Sequence, residues 1–229
     1  MAHRRTLASR EILTGDALTQ AMVSIGMNFA AVPMGDTNIE DTLIAASIAG
    51  MEEDDLRVLS VLVTWLTVHH AWLNADRLYR AVREQTAPRV RAFWAAVGRW
   101  LQKDRRLVRL AQLHDGDRVD LLRTGTAFHI GRHGEDARFI GSPLLVPAGI
   151  LRDRREDVMA PRDLAARHRG YRQRVQMGPT YRADMWAAME GDPLLSPAEL
   201  ARRAYGSFAT AWQVKRDFAC LRDSSRLSP

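Results

Sequence analysis

The chain has 229 residues, of which 46% are hydrophobic and 26% are charged, as in ordinary globular proteins that form one large domain or two small ones. Its single cysteine, Cys220, excludes an internal disulfide and makes the cytosol the default compartment. The most apolar stretch, residues 56–73, contains an arginine, two histidines and several hydroxyl groups. We interpret it as a buried core helix and expect no membrane span and no signal peptide.

Charge is distributed unevenly along the chain. The formal net charge is +6, but residues 1–86 carry 7 Arg against 11 Asp and Glu, whereas residues 87–229 carry 26 Lys and Arg against 16 Asp and Glu. Codon bias in a GC-rich genome would by itself favour Arg over Lys, so that preference has little weight. The net basic charge of the second part is typical of proteins that bind polyanions, and it predicts a phosphate-bearing partner.

An N-terminal arm over residues 1–37 is predicted to precede a helical domain over residues 38–143. The arm is interrupted by glycine and proline residues. Asn38 is expected to cap the first helix of the domain, because Asp41 follows three residues later and an apolar run begins there. Four helices are expected: one that ends at Gly50, a central one over about 54–70, a short one from Asn74 and a longer one after Pro88, over residues 89–113.

The composition changes between residues 117 and 141. Glycines recur every few positions, and three short runs of β-favouring residues, at 119–122, 127–130 and 138–140, alternate with turns. These features predict a small β-ribbon over 117–141. Because helices followed by a β-ribbon are the order of elements in a winged helix, the domain at 38–143 is expected to be winged-helix-like.

A proline-bounded connector at 144–160 is predicted to lead into a C-terminal helical domain at 161–229. Within that domain Ser196 is expected to cap a helix. Pro197 suits the first helical position, and Glu199 completes a capping box.

The capped helix is predicted to be short, because Gly206 can adopt the left-handed conformation that ends a helix. Ser207 or Thr210 would then cap a last helix that runs to about residue 221. Five small or aliphatic residues are expected to face inward across the two helices: Leu200, Ala201, Ala204, Ala211 and Val214.

This spacing resembles the helix-turn-helix of DNA-binding proteins over residues 195–221. Ala201 matches the small residue that the family has on its first helix, and Ala211 and Val214 match the two apolar anchors of the second. Tyr205 occupies the usual glycine place, with Gly206 one residue late. The resemblance implies that the second helix enters the major groove of DNA. It implies contacts from the outward side chains of this segment: Ser207, Thr210, Gln213, Lys215, Arg216 and Asp217.

Residues 73–82 parallel residues 195–204 in their leucine and capping positions, which suggests a second helix-turn-helix unit in the first domain. The predicted fold is therefore mainly α with a small β-ribbon, built from tandem winged-helix or helix-turn-helix units. In the first unit, exposed basic residues are expected to face phosphate: Arg89, Arg91, Arg99, Lys103 and, on the ribbon, Arg132 and Arg138.

Recognisable catalytic and cofactor motifs are absent from the sequence, including phosphate-binding glycine loops, GxSxG, HExxH and CxxC. His129 and His133 are suitable ligand types, but the sequence offers no obvious acid or cysteine to complete a metal site with them. We therefore predict a protein that is not an enzyme and has neither a metal nor a cofactor.

Two alternative functions stay open. Arg162 and His168 resemble the short active-site motif of the all-helical RNases of toxin–antitoxin and phage-defence systems, in which the two side chains would stabilise and protonate a ribose phosphodiester. Winged helices also serve as protein–protein adaptors.

The sequence-based interpretation is a cytoplasmic protein that binds double-stranded DNA. Its expected role is transcriptional regulation, of the antitoxin type or in phage defence. A homodimer would pair two half-sites, but two units in one chain would already do so, and the sequence leaves both the oligomeric state and any protein partner open.

Overall fold

The computed structural model describes the backbone of residues 12–226 and the side chains of residues 12–222. The described chain is mainly helical and divides into two compact units. We call residues 13–163 the first unit and the described residues from 164 onward the second unit. Within the described residues, no helix combines the length and the apolar composition that crossing a membrane requires.

Three of the six helices of the first unit begin at a capping side chain, from Asn38, Asp55 and Asn74. Asn38 Oδ1 accepts a hydrogen bond from the Asp41 amide at 3.0 Å, and Asn74 Oδ1 accepts one from the Arg77 amide at 3.2 Å, so both predicted caps are confirmed. The helices are α1 (Gly15–Ser24), α2 (Ile39–Glu52), α3 (Leu56–His69), α4 (Ala75–Arg83), α5 (Pro88–Trp100) and α6 (Thr126–His133). Short 3₁₀ turns occupy His70–Trp72, Val108–Gln112 and Arg155–Asp157.

Two fully buried tryptophans organise the core of the first unit. Trp65 on α3 donates through Nε1 to the carbonyl of Ile25 at 2.8 Å. Trp94 on α5 donates through Nε1 to Ser47 Oγ on α2 at 2.9 Å. Since each indole N–H has a partner, both rings contribute apolar burial without leaving a buried donor unsatisfied. The central position predicted for α3 is confirmed, with most of the helix buried.

The helix after Pro88 is shorter than predicted, because the chain turns back after Trp100. Leu107, Leu110 and Leu113 are buried, and their spacing of three residues suits the 3₁₀ turn that returns along α5. Gly98 permits this return, since a Cβ at that position would lie 2.7 Å from the backbone nitrogen of Ala111.

The structure differs from the ribbon predicted over residues 117–141. Residues 126–133 form α6, and the only strands in the described chain are β1 (Val119–Asp120) and β2 (Leu144–Leu145), which pair in parallel. A wing would be an antiparallel hairpin. A short apolar run fits a strand or a helix equally, and here β1 pairs with residues 144–145 while the run at 127–130 hydrogen-bonds along itself.

The predicted arm and connector contribute backbone contacts to the first unit. Residues 1–11 of the arm lie outside the described residues, and α1 follows with Leu18 and Met22 buried. Within the predicted connector, the Met159 amide donates to the Gly26 carbonyl at 2.8 Å. The first unit therefore includes all of residues 144–160 and the arm from residue 13 onward, so neither is a separate segment as predicted.

The second unit is helical throughout its described part. Four of its helices begin at a side-chain cap, from His168, Thr180, Ser196 and Ser207 respectively. α7 (Pro161–Arg167) crosses the division between the units and is followed by α8 (Arg169–Met177), α9 (Tyr181–Gly191), α10 (Pro197–Ala204) and α11 (Phe208–Arg226).

Candidate nucleic-acid interface

Three helices of the second unit, α9, α10 and α11, share one apolar core. Ser196 Oγ accepts a hydrogen bond from the Glu199 amide at 3.2 Å, which confirms the predicted cap of α10. All five residues predicted to face inward are buried. The core consists of Met185, Met189, Leu195, Leu200, Ala201, Ala204, Ala211 and Val214.

The turn between α10 and α11 differs from prediction at one residue. Tyr205, not Gly206, adopts the left-handed conformation, with φ of 56°, and the Gly206 amide donates to the Ala201 carbonyl at 3.0 Å. Gly206 serves another purpose, because a Cβ there would overlap the terminal methyl of Met185 and lie 3.3 Å from Tyr181 Cβ. The left-handed residue therefore stands at the position where the helix-turn-helix family usually has glycine.

One side of α11 faces solvent along several turns. We call this surface the exposed stripe and define it as Phe208, Ala209, Trp212, Gln213 and Arg216. Spacings of four residues, in the rows 208–212–216 and 209–213, place the members on one side of the helix, away from the buried Ala211 and Val214. Phe208 and Trp212 are each 52% exposed, and the stripe contains no acidic residue. Gln213 makes no side-chain hydrogen bond within the described chain.

Arg216 is held at the stripe by two neighbours. Its guanidinium carbon lies 5.4 Å from the centroid of the Trp212 ring, and its Nε and one terminal nitrogen each lie 3.4 Å from Asp217 Oδ1. Asp217 also accepts from Arg182 at 3.0 Å on its other oxygen. The hydrogen bond from Arg182, helped by Arg216, holds the pKa of Asp217 below its usual value. Asp217 therefore stays ionised and orients two cations.

The sequence analysis did not assign Phe208 or Trp212 to the interface. The sequence contains a signal for both residues. Trp212 precedes Arg216 by four residues and Phe208 precedes it by eight, so all three lie on one side of the helix. Phe208 and Trp212 are neighbours on one side of the helix, and contiguous apolar patches of this kind mark contact sites.

The remaining predicted contacts on α11 also have roles within the fold. Ser207 Oγ accepts the Thr210 amide at 2.9 Å and lies 2.7 Å from Thr210 Oγ1, so both hydroxyls contribute to the cap of α11. Lys215 is half-buried, and its Nζ donates to the carbonyl of Leu195 at 2.7 Å. Lys215 thus attaches α11 to the residue just before the cap of α10.

In the first unit, three of the predicted phosphate contacts bind backbone carbonyls. Arg89 donates to Leu121 at 2.8 Å, Arg91 to Leu113 at 2.9 Å and Arg99 to Gly141 at 2.7 Å. These three side chains hold the chain after α5 against that helix. Arg138 similarly binds Asp136 and the Leu151 carbonyl, both at 2.6 Å, while Lys103 and Arg132 are exposed.

The residues behind the RNase alternative differ in exposure. Arg162 is exposed on α7, whereas His168 is buried and its Nδ1 accepts the Tyr171 amide at 3.0 Å as the cap of α8. This local role explains a histidine at that position without chemistry.

The two histidines considered as metal ligands lie on α6, four residues apart. The ring centroids of His129 and His133 are 6.5 Å apart. Within the described chain, no group of three or more histidine, cysteine or acidic side chains is arranged to hold a metal ion.

Comparison of the chain with protein-family models, with curated proteins and with solved structures finds no match. The exposed stripe and the charge around it are therefore the observations from which a function can be inferred. Residues 164–229 contain eleven Lys and Arg against six Asp and Glu, and Arg202 and Arg203 on α10 have side chains that are 70% and 48% exposed.

Proposed function

We propose that the protein binds double-stranded DNA through α10 and α11, with the exposed stripe in the major groove. The observation that carries this proposal is the two-sided character of α11. Its inner side is buried through Ala211 and Val214, while Gln213 and Arg216 are exposed on the outer side with no acidic residue between them. A helix held in this way can enter a groove without loss of the core behind it.

The two polar members of the stripe have complementary uses on DNA. A glutamine amide can pair with both N6 and N7 of adenine, and an arginine fork can pair with O6 and N7 of guanine or bind a phosphate. Because Trp212 and Asp217 restrain the Arg216 guanidinium, less side-chain entropy is lost when it binds. Arg202 and Arg203, on the preceding helix, supply charge for phosphate contacts that position the unit without reading sequence.

The proposal is confined to the second unit. In the first unit, Arg89, Arg91 and Arg99 hold backbone carbonyls, and the described residues contain no antiparallel wing. A tandem winged-helix arrangement is therefore not needed for binding, and a homodimer would supply the second half-site. The regulatory role, of the antitoxin type or in phage defence and in the cytoplasm, is the part of the proposal that follows from the resemblance to helix-turn-helix proteins.

The test is a mobility-shift assay on the DNA upstream of the protein's own coding sequence, together with selection from a randomised duplex pool. We expect one duplex family to be selected, and log affinity to fall linearly with log salt. The double variant Gln213→Ala/Arg216→Ala should lose selectivity and retain its circular dichroism spectrum. Lys103→Ala, which removes an exposed charge in the first unit, is the matched control and should select the same duplexes.

Three results would contradict the proposal. Unchanged selectivity in the double variant would exclude the stripe as the reading surface. A partner interaction with a flat salt response and no duplex binding would favour the adaptor function. RNA cleavage that is lost in His168→Ala but not in the double variant would favour the RNase function.

A further inference from the structure

The first turn of α11 exposes apolar side chains where a DNA-reading helix meets base edges. Phe208 is 52% exposed at the first helical position, and Ala209 is exposed beside it. In helix-turn-helix complexes the N-terminal residues of the second helix contact the bases. Phe208 follows the capping Ser207 directly, so it lies at that end of α11.

Only one apolar group is offered by base pairs in the major groove, the C5-methyl of thymine. Phenylalanine and alanine are among the side chains that contact it. Gln213 lies one helical turn from Ala209 on the same side of α11, and its free amide suits the N6 and N7 atoms of adenine. The stripe therefore carries the two side-chain chemistries that together distinguish an A·T pair.

We propose that the exposed stripe recognises A·T base pairs, with Phe208 and Ala209 on thymine methyl groups and Gln213 on adenine. The inference rests on the DNA-binding function proposed above and specifies which bases that site reads. Arg216, further along α11, then reaches guanine or phosphate at the edge of the A·T pairs.

An exposed aromatic pair could also bind a partner protein instead of DNA. The charge around Phe208 and Trp212 favours DNA, because Arg216 lies over Trp212 and residues 197–217 carry four cations against two acids, Glu199 and Asp217, each of which pairs with arginines of this segment. Two exposed arginines on α10, Arg202 and Arg203, belong to the same helix pair. A partner protein would have to desolvate this positive charge or bring acidic residues of its own.

The experiment replaces each thymine of the selected duplex by deoxyuridine, which removes only the C5-methyl group. We expect the wild-type protein to lose about fourfold in affinity at each contacted position, the effect of one buried methyl group. Phe208→Ala should bind the thymine duplex more weakly and show no further loss at the position that Phe208 contacts. Phe208→Leu should keep part of the methyl effect.

A second arm tests the adenine contact. Replacement of adenine by 7-deazaadenine should weaken wild-type binding at one position and leave the affinity of Gln213→Ala unchanged there. Phe128→Ala is the matched control for the loss of an exposed phenylalanine, since Phe128 is 66% exposed in the first unit, and it should retain the full deoxyuridine effect.

The outcomes separate this inference from the proposed function. Sequence-selective duplex binding with no response to deoxyuridine or 7-deazaadenine would overturn the A·T assignment and leave the DNA-binding function intact. Absence of duplex binding would overturn both. Self-association that is lost in Phe208→Ala, without any change in duplex affinity, would assign the aromatic pair to a second copy of the chain and also overturn the A·T assignment.

Discussion

Nε of Arg174 lies 2.7 Å from Oδ1 of Asp184, and this ion pair joins α8 to α9 inside the second unit. The two side chains are only 1% and 10% exposed. A charge in such a place depends on its partner, because water cannot replace the missing counter-charge. The pair thus holds α8 on the three-helix core that carries the candidate interface.

Removal of one member of this pair should destabilise the second unit. We expect Asp184→Ala to lower the free energy of unfolding by about 3 kcal/mol, since it removes the carboxylate that accepts a hydrogen bond from the buried Arg174. Native-state hydrogen exchange of the α8 and α9 amides would measure the change. Arg203→Ala breaks an exposed pair with Glu199 and should change the same free energy by about 0.5 kcal/mol or less. Equal losses in the two variants would contradict the assigned role of the buried pair.

His69 should make the stability of the first unit depend on pH. Its ring is fully buried, packs 4.6 Å from the Trp65 ring and donates from Nε2 to the Met159 carbonyl at 3.0 Å. Burial, with Arg155 acting in the same direction, lowers the pKa of His69 from 6.5 to about 4. The folded protein therefore keeps the ring neutral, while the unfolded chain binds a proton below about pH 6.5.

Stability from this residue is complete above pH 6.5 and is lost as the pH falls to 4, by about 3 kcal/mol in total. Urea unfolding of the first unit at a series of pH values would measure the slope. In His69→Gln the free energy of unfolding should fall by about 3 kcal/mol less between pH 6.5 and pH 4 than in the wild-type protein, whatever the absolute stability of the variant. An identical slope in both proteins would show that His69 does not carry the effect.

Two adjacent cations, Lys215 and Arg216, should give opposite phenotypes. Lys215→Met removes the bond to the Leu195 carbonyl and should lower the free energy of unfolding by about 1 kcal/mol with little effect on the choice of duplex. Arg216→Met should leave stability nearly unchanged and lower the slope of log affinity against log salt by about 1 if it binds a phosphate. Thermal unfolding and salt titrations of duplex binding distinguish the two, and a stability loss from Arg216→Met would contradict its position on the exposed stripe.

Alanine at two helical glycines should shift stability in opposite directions. Gly98→Ala would place a Cβ 2.7 Å from the Ala111 backbone nitrogen and 2.8 Å from Leu110 Cβ, so we expect a loss of about 2 kcal/mol from overpacking. Gly131→Ala on α6 meets nothing within 4 Å and should gain up to about 1 kcal/mol from helix propensity. Urea unfolding of both variants measures the two changes in free energy. An unchanged stability in Gly98→Ala would show that the chain after α5 does not pack tightly against Gly98.

Local chemistry made several elements predictable. The caps at Asn38, Asn74 and Ser196 depend on a side chain and an amide three residues away, so the printed sequence already contains both partners. The same holds for the inward set of α10 and α11, which follows from helical spacing and includes Ala201 and Val214.

Predictions failed where the local sequence fits two conformations equally well and contacts with a distant part of the chain favour one of them. The run at 127–130 lies in α6, and the partner of β1 is the distant segment 144–145. The left-handed conformation falls on Tyr205, while Gly206 lies against Met185 of another helix. No sequence pattern distinguishes an arginine that is available to bind phosphate from one such as Arg99, which binds a carbonyl 42 residues away.

The sequence by itself determined most of the helical segments, the caps at Asn38, Asn74 and Ser196 and the basic charge of the C-terminal part, because these properties depend on near neighbours and composition. Only the tertiary structure decided which polar and aromatic side chains of α11 stay exposed and which cations are engaged by backbone. Which side chains are exposed depends on how segments far apart in the chain pack together. A buried donor without a partner or an overlapping Cβ raises the free energy of the fold, so one arrangement is favoured.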